Sequence, residues 1–328
     1  MSKLSVLRGD AAKKKYRYLC ETENDIPIFS QYWYLDSLCG DADWEVILLQ
    51  NEEKIVASLP IYREKKFLFT FIKQPKLVQN LGIWIKYPDN QNYQNKKSLE
   101  NKVIEMIVNE IPRNDMISIN MNYNYQNLIA FHWHGFVETS RYTYILNLEE
   151  DIKNIYNSFS PNMRNKIRKS EKLVNIKETD DIKIVYDLIL KTFKRQNKKL
   201  DFSLNDLKKH DFFLKNNKSR KIFIALDKIT NEPHSVLYLI WDKISSYVHL
   251  VGEDPEKRSS GAGINLIYES IRYSKEELKL KILDFEGSMI ESIEKVRRNC
   301  GGKQMKYSSI RKINSLILKI LYSLVRNN

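Results

Sequence analysis

The sequence contains few cysteines, and none of them are paired. Cys20, Cys39 and Cys300 are the only three in 328 residues, and no Cys-x-x-Cys motif occurs. An odd number at such spacings excludes a disulfide framework and a cysteine-based zinc site, and is typical of a reducing compartment. His132 and His134 lack a third ligand at metal spacing, so we predict no metal site.

Long apolar runs are also missing. No stretch approaches the ~20 consecutive apolar residues that a membrane-spanning helix needs. The first fifteen residues carry charges but no apolar segment of signal-peptide length. We therefore expect a cytoplasmic protein, with peripheral contact to the inner face of the membrane left open.

Negative charge is in deficit. Lys and Arg number 54 against 41 Asp and Glu, which leaves a formal net charge of +13. This excess can attract nucleic acid, anionic lipid or a phosphorylated ligand. Most of these cations are lysines in a chain rich in Asn and Ile, a composition that AT-rich codons also produce, so the charge alone does not identify a partner.

The pattern of apolar residues predicts an α/β protein with two domains. Hydrophobic residues make up 42% of the chain, enough for two separate cores at this length. Strands predicted at 44–50 and 54–62 form a hairpin around a polar turn, and strands at 221–226 and 235–241 form a second one. Helix–strand–helix–strand order follows both hairpins, which suggests a duplication.

Glycine is scarce, and six of the ten glycines fall between residues 252 and 302. Within this part of the chain, Arg258-x-x-Gly261-x-Gly263 lies between a strand predicted at 247–252 and a helix at 263–278. Bare amides at a helix N-terminus, aided by the helix dipole, can bind a diphosphate. The alternative is a plain turn before a helix.

Together with this loop, four other segments resemble the FemAB-like and BioF2-like branch of the GNAT acyltransferase superfamily. They are Trp133–Phe136, Tyr142–Tyr144, Ser160–Lys169 and Asp284–Met289. The resemblance covers nearly the whole chain and implies two tandem GNAT-like domains, each with a mixed central sheet flanked by helices, and a cleft between them. The implied organisation is an N-terminal domain without the cofactor loop (1–148), a C-terminal domain with it (149–310) and an amphipathic helix (311–328).

The resemblance also implies an activity. The expected enzyme is an N-acyltransferase that moves an acyl group from acyl-CoA to an amine, such as an amino sugar of a surface polysaccharide. Among acyl-CoA donors, acetyl-CoA is the first candidate. The acceptor could be nucleotide-linked or lipid-linked. The implied CoA-binding residues are Arg258, Ser260, Gly261, Ala262 and Gly263.

Two alternatives remain open. A Fem-type enzyme would take an aminoacyl group from tRNA and act on peptidoglycan or another envelope acceptor. A catalytically silent GNAT-like module would bind a partner instead.

Acidic residues near the predicted strand ends are candidate general bases, because an acceptor ammonium must lose a proton before its nitrogen attacks the acyl carbon. We rank Glu286 first, Asp284 second and Glu253 third. Strand alternation over 282–285 would turn Asp284 and Glu286 to the same side. Each could instead serve only in a loop cap or an ion pair with Arg297 or Arg298.

The helix predicted at 162–173 carries Arg164, Arg168 and Lys172 at a spacing of four residues. This spacing places three cations along one face, where a phosphate-rich ligand such as CoA, a nucleotide sugar or tRNA could bind. A solvated helix face is the alternative.

The C-terminal segment is predicted to be amphipathic, with an apolar face of Ile310, Ile313, Leu316, Ile317, Ile320, Leu321 and Leu324. Docking on the body of the protein is favoured over contact with a membrane surface.

Overall fold

The computed structural model describes residues 4–40, 43–287 and 289–326 of the chain. Ser288 and the outer ends of the predicted ranges 1–148 and 311–328 lie outside the described residues. The chain forms two compact units, Met1–Arg141 with Lys306–Asn328, and Tyr142–Met305.

The first unit contains an N-terminal α/β segment and the C-terminal end of the chain. Its helices are α1 (Gly9–Thr22), α2 (Tyr32–Cys39), α3 (Tyr93–Glu110), α4 (Ile129–Trp133) and α11 (Leu316–Arg326). Its strands are β1 (Leu4–Leu7), β2 (Trp44–Asn51), β3 (Lys54–Lys66), β4 (Phe69–Lys73), β5 (Trp84–Ile85) and β6 (Met116–Asn120). Strand β7 (Val137–Asn147) carries the chain into the second unit, and β13 (Lys303–Ile313) returns it.

The second unit holds the remaining elements. Its helices are α5 (Ile152–Ser158), α6 (Pro161–Leu173), α7 (Ile182–Arg195), α8 (Leu204–Asn216), α9 (Ala262–Glu276) and α10 (Glu291–Asn299). Its further strands are β8 (Val174–Glu178), β9 (Arg220–Asp227), β10 (Pro233–Trp241), β11 (Ser245–Glu253) and β12 (Ile282–Asp284), and a 3₁₀ turn covers Pro255–Ser260.

Each unit is built on a mixed sheet. In the first unit the strand order is β1-β2-β3-β4-β6-β13, with β5 on β3, and only β4 and β6 run parallel among the described strands. In the second it is β7-β12-β11-β10-β9-β8, with β11 and β12 parallel. Both predicted hairpins are present as β2–β3 and β9–β10.

Helices cover both faces of the second sheet. Helices α5, α6 and α9 share one apolar cluster with the strands, which includes Met163, Ile167, Leu266 and Leu283. On the opposite face α7 lies so close to β11 that a Cβ at Gly252 would approach the Ile189 nitrogen to 2.6 Å. These two layers fix where β11 ends, and with it the loop that leads into α9.

The structure differs from the prediction at the C-terminus. The units exchange the chain at 141–142 and 305–306, rather than at 148–149 and 310–311. Ile310 and Ile313 lie in β13 and pair with β6, so the helix predicted over 311–328 begins at Leu316. The side chains of the predicted apolar face that lie in α11 are exposed, 71% for Leu316 and 60% for Ile317, so the expectation that the helix docks on the protein through this face is wrong.

Candidate active site

The candidate site begins at an irregularity in β11. In the β10–β11 pairing, Tyr238 lies opposite Leu250 and Leu239 lies opposite Val248, so His249 is an extra residue that bulges from the strand. On its other side β11 pairs with β12 only as far as Tyr247 and Asp284. Among the described residues, no strand pairs with Leu250–Glu253 on that side. Bulges that re-aim side chains are common beside functional sites.

The loop after β12 turns toward this opening in an unusual conformation. Glu286 has φ of +50°, in the left-handed region that non-glycine residues seldom adopt. Its N–H donates to the Asp284 carboxylate at 2.8 Å, and the Gly287 N–H donates to the Thr143 hydroxyl at 2.8 Å. The same hydroxyl donates to Asp284 at 2.5 Å. Backbone conformations of this kind persist only where the surroundings impose them.

The result of this turn is a pair between Glu286 and His249. Nδ1 of His249 lies 2.7 Å from Oε1 of Glu286, and the two side chains are 1% and 14% exposed. The rings of His210 and Tyr238 lie 5.7 and 6.2 Å from the His249 ring. Burial, and secondly the neighbouring His249, lower the pKa of His210 well below its usual value. The pair therefore places a partly exposed carboxylate beside the bulge.

Asp284 has a different environment from Glu286. It is fully buried, and burial raises its pKa from 3.8 to about 7, while the bonds from Thr143 and the Glu286 N–H oppose the rise. The strand alternation from which Asp284 and Glu286 were predicted to share one side does not reach Glu286, because β12 ends at Asp284 and Glu286 has a positive φ. Asp284 thus holds the loop, and Glu286 presents its carboxylate.

The glycine loop starts α9 as predicted, in a packed environment. Gly261 has φ of +77° and caps α9, and a Cβ there would lie 2.6 Å from the Lys166 carbonyl oxygen of α6. Its N–H donates to the Arg258 carbonyl at 3.1 Å, and the Ala262 N–H donates to the Ser260 hydroxyl at 3.3 Å. Glycine is required at 261 by conformation and by contact with α6.

An internal carboxylate lies at the N-terminus of α9. Glu253 Oε1 would be 3.1 Å from a Cβ at Gly263, and Oε2 accepts a hydrogen bond from Arg258 Nε at 2.8 Å. An anion is favourable at this position because the helix dipole and the guanidinium are both nearby. In this structure the chain itself supplies that anion.

The three cations of the predicted face of α6 make different contacts. The Arg164 guanidinium donates to the Asn157 carbonyl at 2.8 Å and to the Phe159 carbonyl, which satisfies the C-terminal end of α5. Arg168 donates to the side chain of Asn165, and both Arg168 and Lys172 are exposed. Arg164 therefore has a structural role, and the other two cations remain accessible.

Sequence reasoning gave no role to His249 or Thr143, although Thr143 lies inside the Tyr142–Tyr144 segment that carried the resemblance. A bulge leaves no periodic signal, and His249 reads as an ordinary strand residue. Among the described residues, no three His, Cys, Asp or Glu side chains come together in a way that could hold a metal ion.

The fold is similar to those of tandem GNAT and FemAB-type structures. The crystal structure of FemX is similar at 12% identity with a TM-score of 0.69, covering 92% of this chain and 96% of FemX. A tandem GNAT protein from the clavulanic acid biosynthesis pathway matches at 9% identity and a TM-score of 0.54, with 94% and 98% covered.

The C-terminal domain of a putative lysylphosphatidylglycerol synthetase from Agrobacterium fabrum matches at 9% identity and a TM-score of 0.53, with 96% and 95% covered. No protein-family model and no curated protein sequence matches the chain. At these identities the likeness shows the fold, so the expected fold class is confirmed.

Proposed function

We propose that this protein is an N-acyltransferase that joins an acyl group to an amine by direct attack. The observation that carries the proposal is the Glu286 carboxylate, held in a left-handed turn beside the bulge at His249. Acyl transfer to nitrogen requires donors for the oxyanion and a positioned base. Here the edge of β11 at Leu250–Glu253, which no described strand pairs with on the β12 side, lies beside the Glu286 carboxylate.

In the proposed step, Glu286 accepts a proton from the acceptor ammonium. The freed nitrogen then forms a C–N bond to the acyl carbon. The bond from that carbon to the leaving sulfur or oxygen breaks, and the excess proton on the nitrogen passes to the leaving group, which departs as a thiol or a hydroxyl. Backbone N–H groups of β11 within Leu250–Glu253 stabilise the oxyanion of the tetrahedral intermediate. His249 orients Glu286 through the 2.7 Å contact and does not itself touch substrate.

For the donor we propose acyl-CoA, with its diphosphate at the N-terminus of α9. The place is already suited to an anion, since the Glu253 carboxylate lies against Gly263 and pairs with Arg258. Binding of CoA would require the Glu253 side chain to swing away and release Arg258 to the phosphates. Only a side-chain rotation is needed, because the nearest atoms to a Cβ at Gly263 belong to side chains.

This donor assignment is tested by CoA binding rather than by turnover. Glu253→Gln removes a negative charge a few ångströms from the diphosphate, which is worth at least about 1 kcal/mol near a protein surface, so acetyl-CoA should bind roughly fivefold or more tightly. Arg258→Gln should weaken binding about tenfold, the cost of one charge-assisted hydrogen bond. Isothermal titration calorimetry measures both.

Glu256→Gln is the matched control, because Glu256 is an exposed acid of the same 3₁₀ turn and should leave affinity unchanged. Substitution of Gly261 is not informative, since any Cβ there overlaps the backbone of α6. If wild type and Glu253→Gln both fail to bind acetyl-CoA, the glycine loop is a structural turn and acyl-CoA is not the donor.

The occupied loop favours one second candidate, a Fem-type transfer from aminoacyl-tRNA. Such a donor makes no demand on the α9 amides, and the fold is similar to that of FemX. Exposed Arg168 and Lys172 on α6 could then contact the RNA backbone. Transfer that requires charged tRNA, ignores acetyl-CoA and is abolished by ribonuclease would establish this candidate and exclude the first.

For the acceptor we propose an amino sugar of a surface polysaccharide or an envelope precursor, following the family resemblance. Mass spectrometry of reactions with a panel of nucleotide-linked amino sugars would detect the added acyl mass. Amide formation on a peptide amine with none on any amino sugar would overturn the acceptor assignment and leave the transfer chemistry intact.

A further inference from the structure

Helix α11 exposes an apolar face on the first unit. Its outward side chains recur at spacings of three and four, and they are largely accessible: Leu316 71%, Ile317 60%, Ile320 53%, Leu321 51% and Leu324 60%. Tyr322, on the other side, contacts Arg311 of β13 and so ties the helix to the unit. Contiguous exposed apolar surface of this kind marks an interaction site.

A second apolar feature lies at the tip of the β3–β4 hairpin. Phe67 and Leu68 are 92% and 95% exposed, the most exposed of the large apolar side chains described apart from Ile229. Phe67 adopts a φ of +55°, so a left-handed turn holds the two side chains at the tip. Neither residue contributes to the core of the unit.

The two features lie at the same end of the same sheet. Strand β4 pairs with β6 through Phe71 and Met116, and β13 pairs with Met116 through Ile313. Asp115 connects them directly. It accepts the Thr70 N–H on its side chain at 2.8 Å, and its carbonyl accepts the Asn314 N–H at 2.8 Å, just before α11.

Exposed cations predominate around this end, because the Asp115 carboxylate accepts the Thr70 N–H and Glu64 pairs with Lys73. Lys65 and Lys66 flank the hairpin tip, Arg113 lies close to Asp115 in sequence, and Lys319 is on α11; all four are exposed. Between residues 303 and 328 the sequence has six Lys or Arg and no Asp or Glu. Two copies of such a face would repel each other in a symmetric dimer, whereas an anionic lipid surface would attract it.

We propose that α11 and the Phe67–Leu68 tip form a single surface that binds an anionic phospholipid bilayer, with the apolar side chains inserted at the headgroup boundary and the lysines on the phosphates. The helix is about 16 Å long, which suits lying in the interface. Among the described residues no helix combines the length and apolar character needed to cross a bilayer. This inference does not depend on the proposed function.

The test is co-sedimentation of the full chain with vesicles of equal parts phosphatidylglycerol and phosphatidylcholine, and with phosphatidylcholine alone. Replacing Ile320 and Leu321 together by Ser, or Phe67 and Leu68 together by Ser, should each lower the partition coefficient about tenfold or more, because the two apolar side chains of a pair together contribute at least that factor when partly buried in the interface. Ile229→Ser is the matched control, at a 94% exposed position in the turn after β9, and should bind like wild type.

Removing charge should act separately from removing apolar surface. Lys65→Gln with Lys66→Gln should weaken binding to the anionic vesicles by about fivefold for each lysine, with little effect on neutral vesicles. Melting temperatures should stay at the wild-type value, since all the substituted side chains are exposed.

Three results would overturn the proposal: no binding of wild type to anionic vesicles, equal binding of both serine variants and wild type, or a wild-type dimer that the α11 variant dissociates in the absence of lipid. The last result would assign the face to a second copy of the chain.

Discussion

Replacing Asp284 by asparagine should change how the stability of the protein depends on pH. Asp284 is fully buried, and its pKa is raised from 3.8 to about 7. A carboxyl whose pKa is higher in the folded state binds its proton more tightly there than in the unfolded chain. Its contribution to stability is therefore complete below about pH 4 and is lost as the pH rises through about 7.

The size of this effect follows from the two pKa values. A shift of about three units corresponds to about 4 kcal/mol in total, of which about 3 kcal/mol is lost between about pH 5 and pH 8. An asparagine side chain cannot ionise, and its oxygen can still accept from the Thr143 hydroxyl and the Glu286 N–H, as Asp284 does now. The variant should thus match wild type near pH 5 and exceed it by up to about 3 kcal/mol near pH 8.

Urea unfolding of both proteins across about pH 5 to 8 measures this difference. Asp201→Asn is the control, because Asp201 is exposed and its replacement should leave the pH dependence as in wild type. A difference between Asp284→Asn and wild type that stays constant over this range would refute the reasoning, since it would mean that the buried carboxyl does not titrate between about pH 5 and 8 in the folded protein.

Two further predictions concern residues outside the loop. Arg164→Gln should lower the free energy of unfolding by about 1–2 kcal/mol, because the carbonyls at the end of α5 lose their donor. Arg168→Gln should have no measurable effect, since Arg168 donates only to the nearby Asn165 side chain. Equal effects of the two substitutions in urea unfolding would contradict this division. Iodoacetamide should label Cys39 first in the native protein, and mass spectrometry of the labelled peptides would show early labelling elsewhere if this is wrong. The two remaining thiols are buried, and burial raises the pKa of each to about 12: Cys20 and Cys300.

The sequence predicted the elements whose signals are local. Most boundaries of the two hairpins, of α6 and of α9 lie within about two or three residues of their predicted positions. The reason is that alternation, helical spacing and the glycine loop each depend only on the residues of their own segment. The fold class followed from the resemblance, and the similar solved structures confirm it. Long-range pairing was harder: the helical spacing that groups Ile310 and Ile313 with the later apolar residues does not indicate that both pair with β6.

The site was predicted in part for the same reason. Their position at a predicted strand end makes Glu286 and Asp284 candidate bases. Their separation into a partly exposed carboxylate and a buried one depends on a left-handed turn that sequence periodicity does not indicate. The Glu253–Arg258 pair joins residues only five positions apart, yet its contact with Gly263 depends on how α9 starts. Which glycine lies against a side chain, and which lies against the backbone of α6, is a property of packing alone.

The central claim is that Glu286 removes the proton from the attacking amine. The direct measurement is the rate of amide formation by wild type and Glu286→Gln, followed by mass spectrometry with acetyl-CoA or charged tRNA as donor and the amino-sugar panel as acceptor. Loss of a positioned general base predicts a rate about a hundredfold to ten-thousandfold lower in the variant, with donor affinity unchanged. A variant that forms product as fast as wild type would contradict the account.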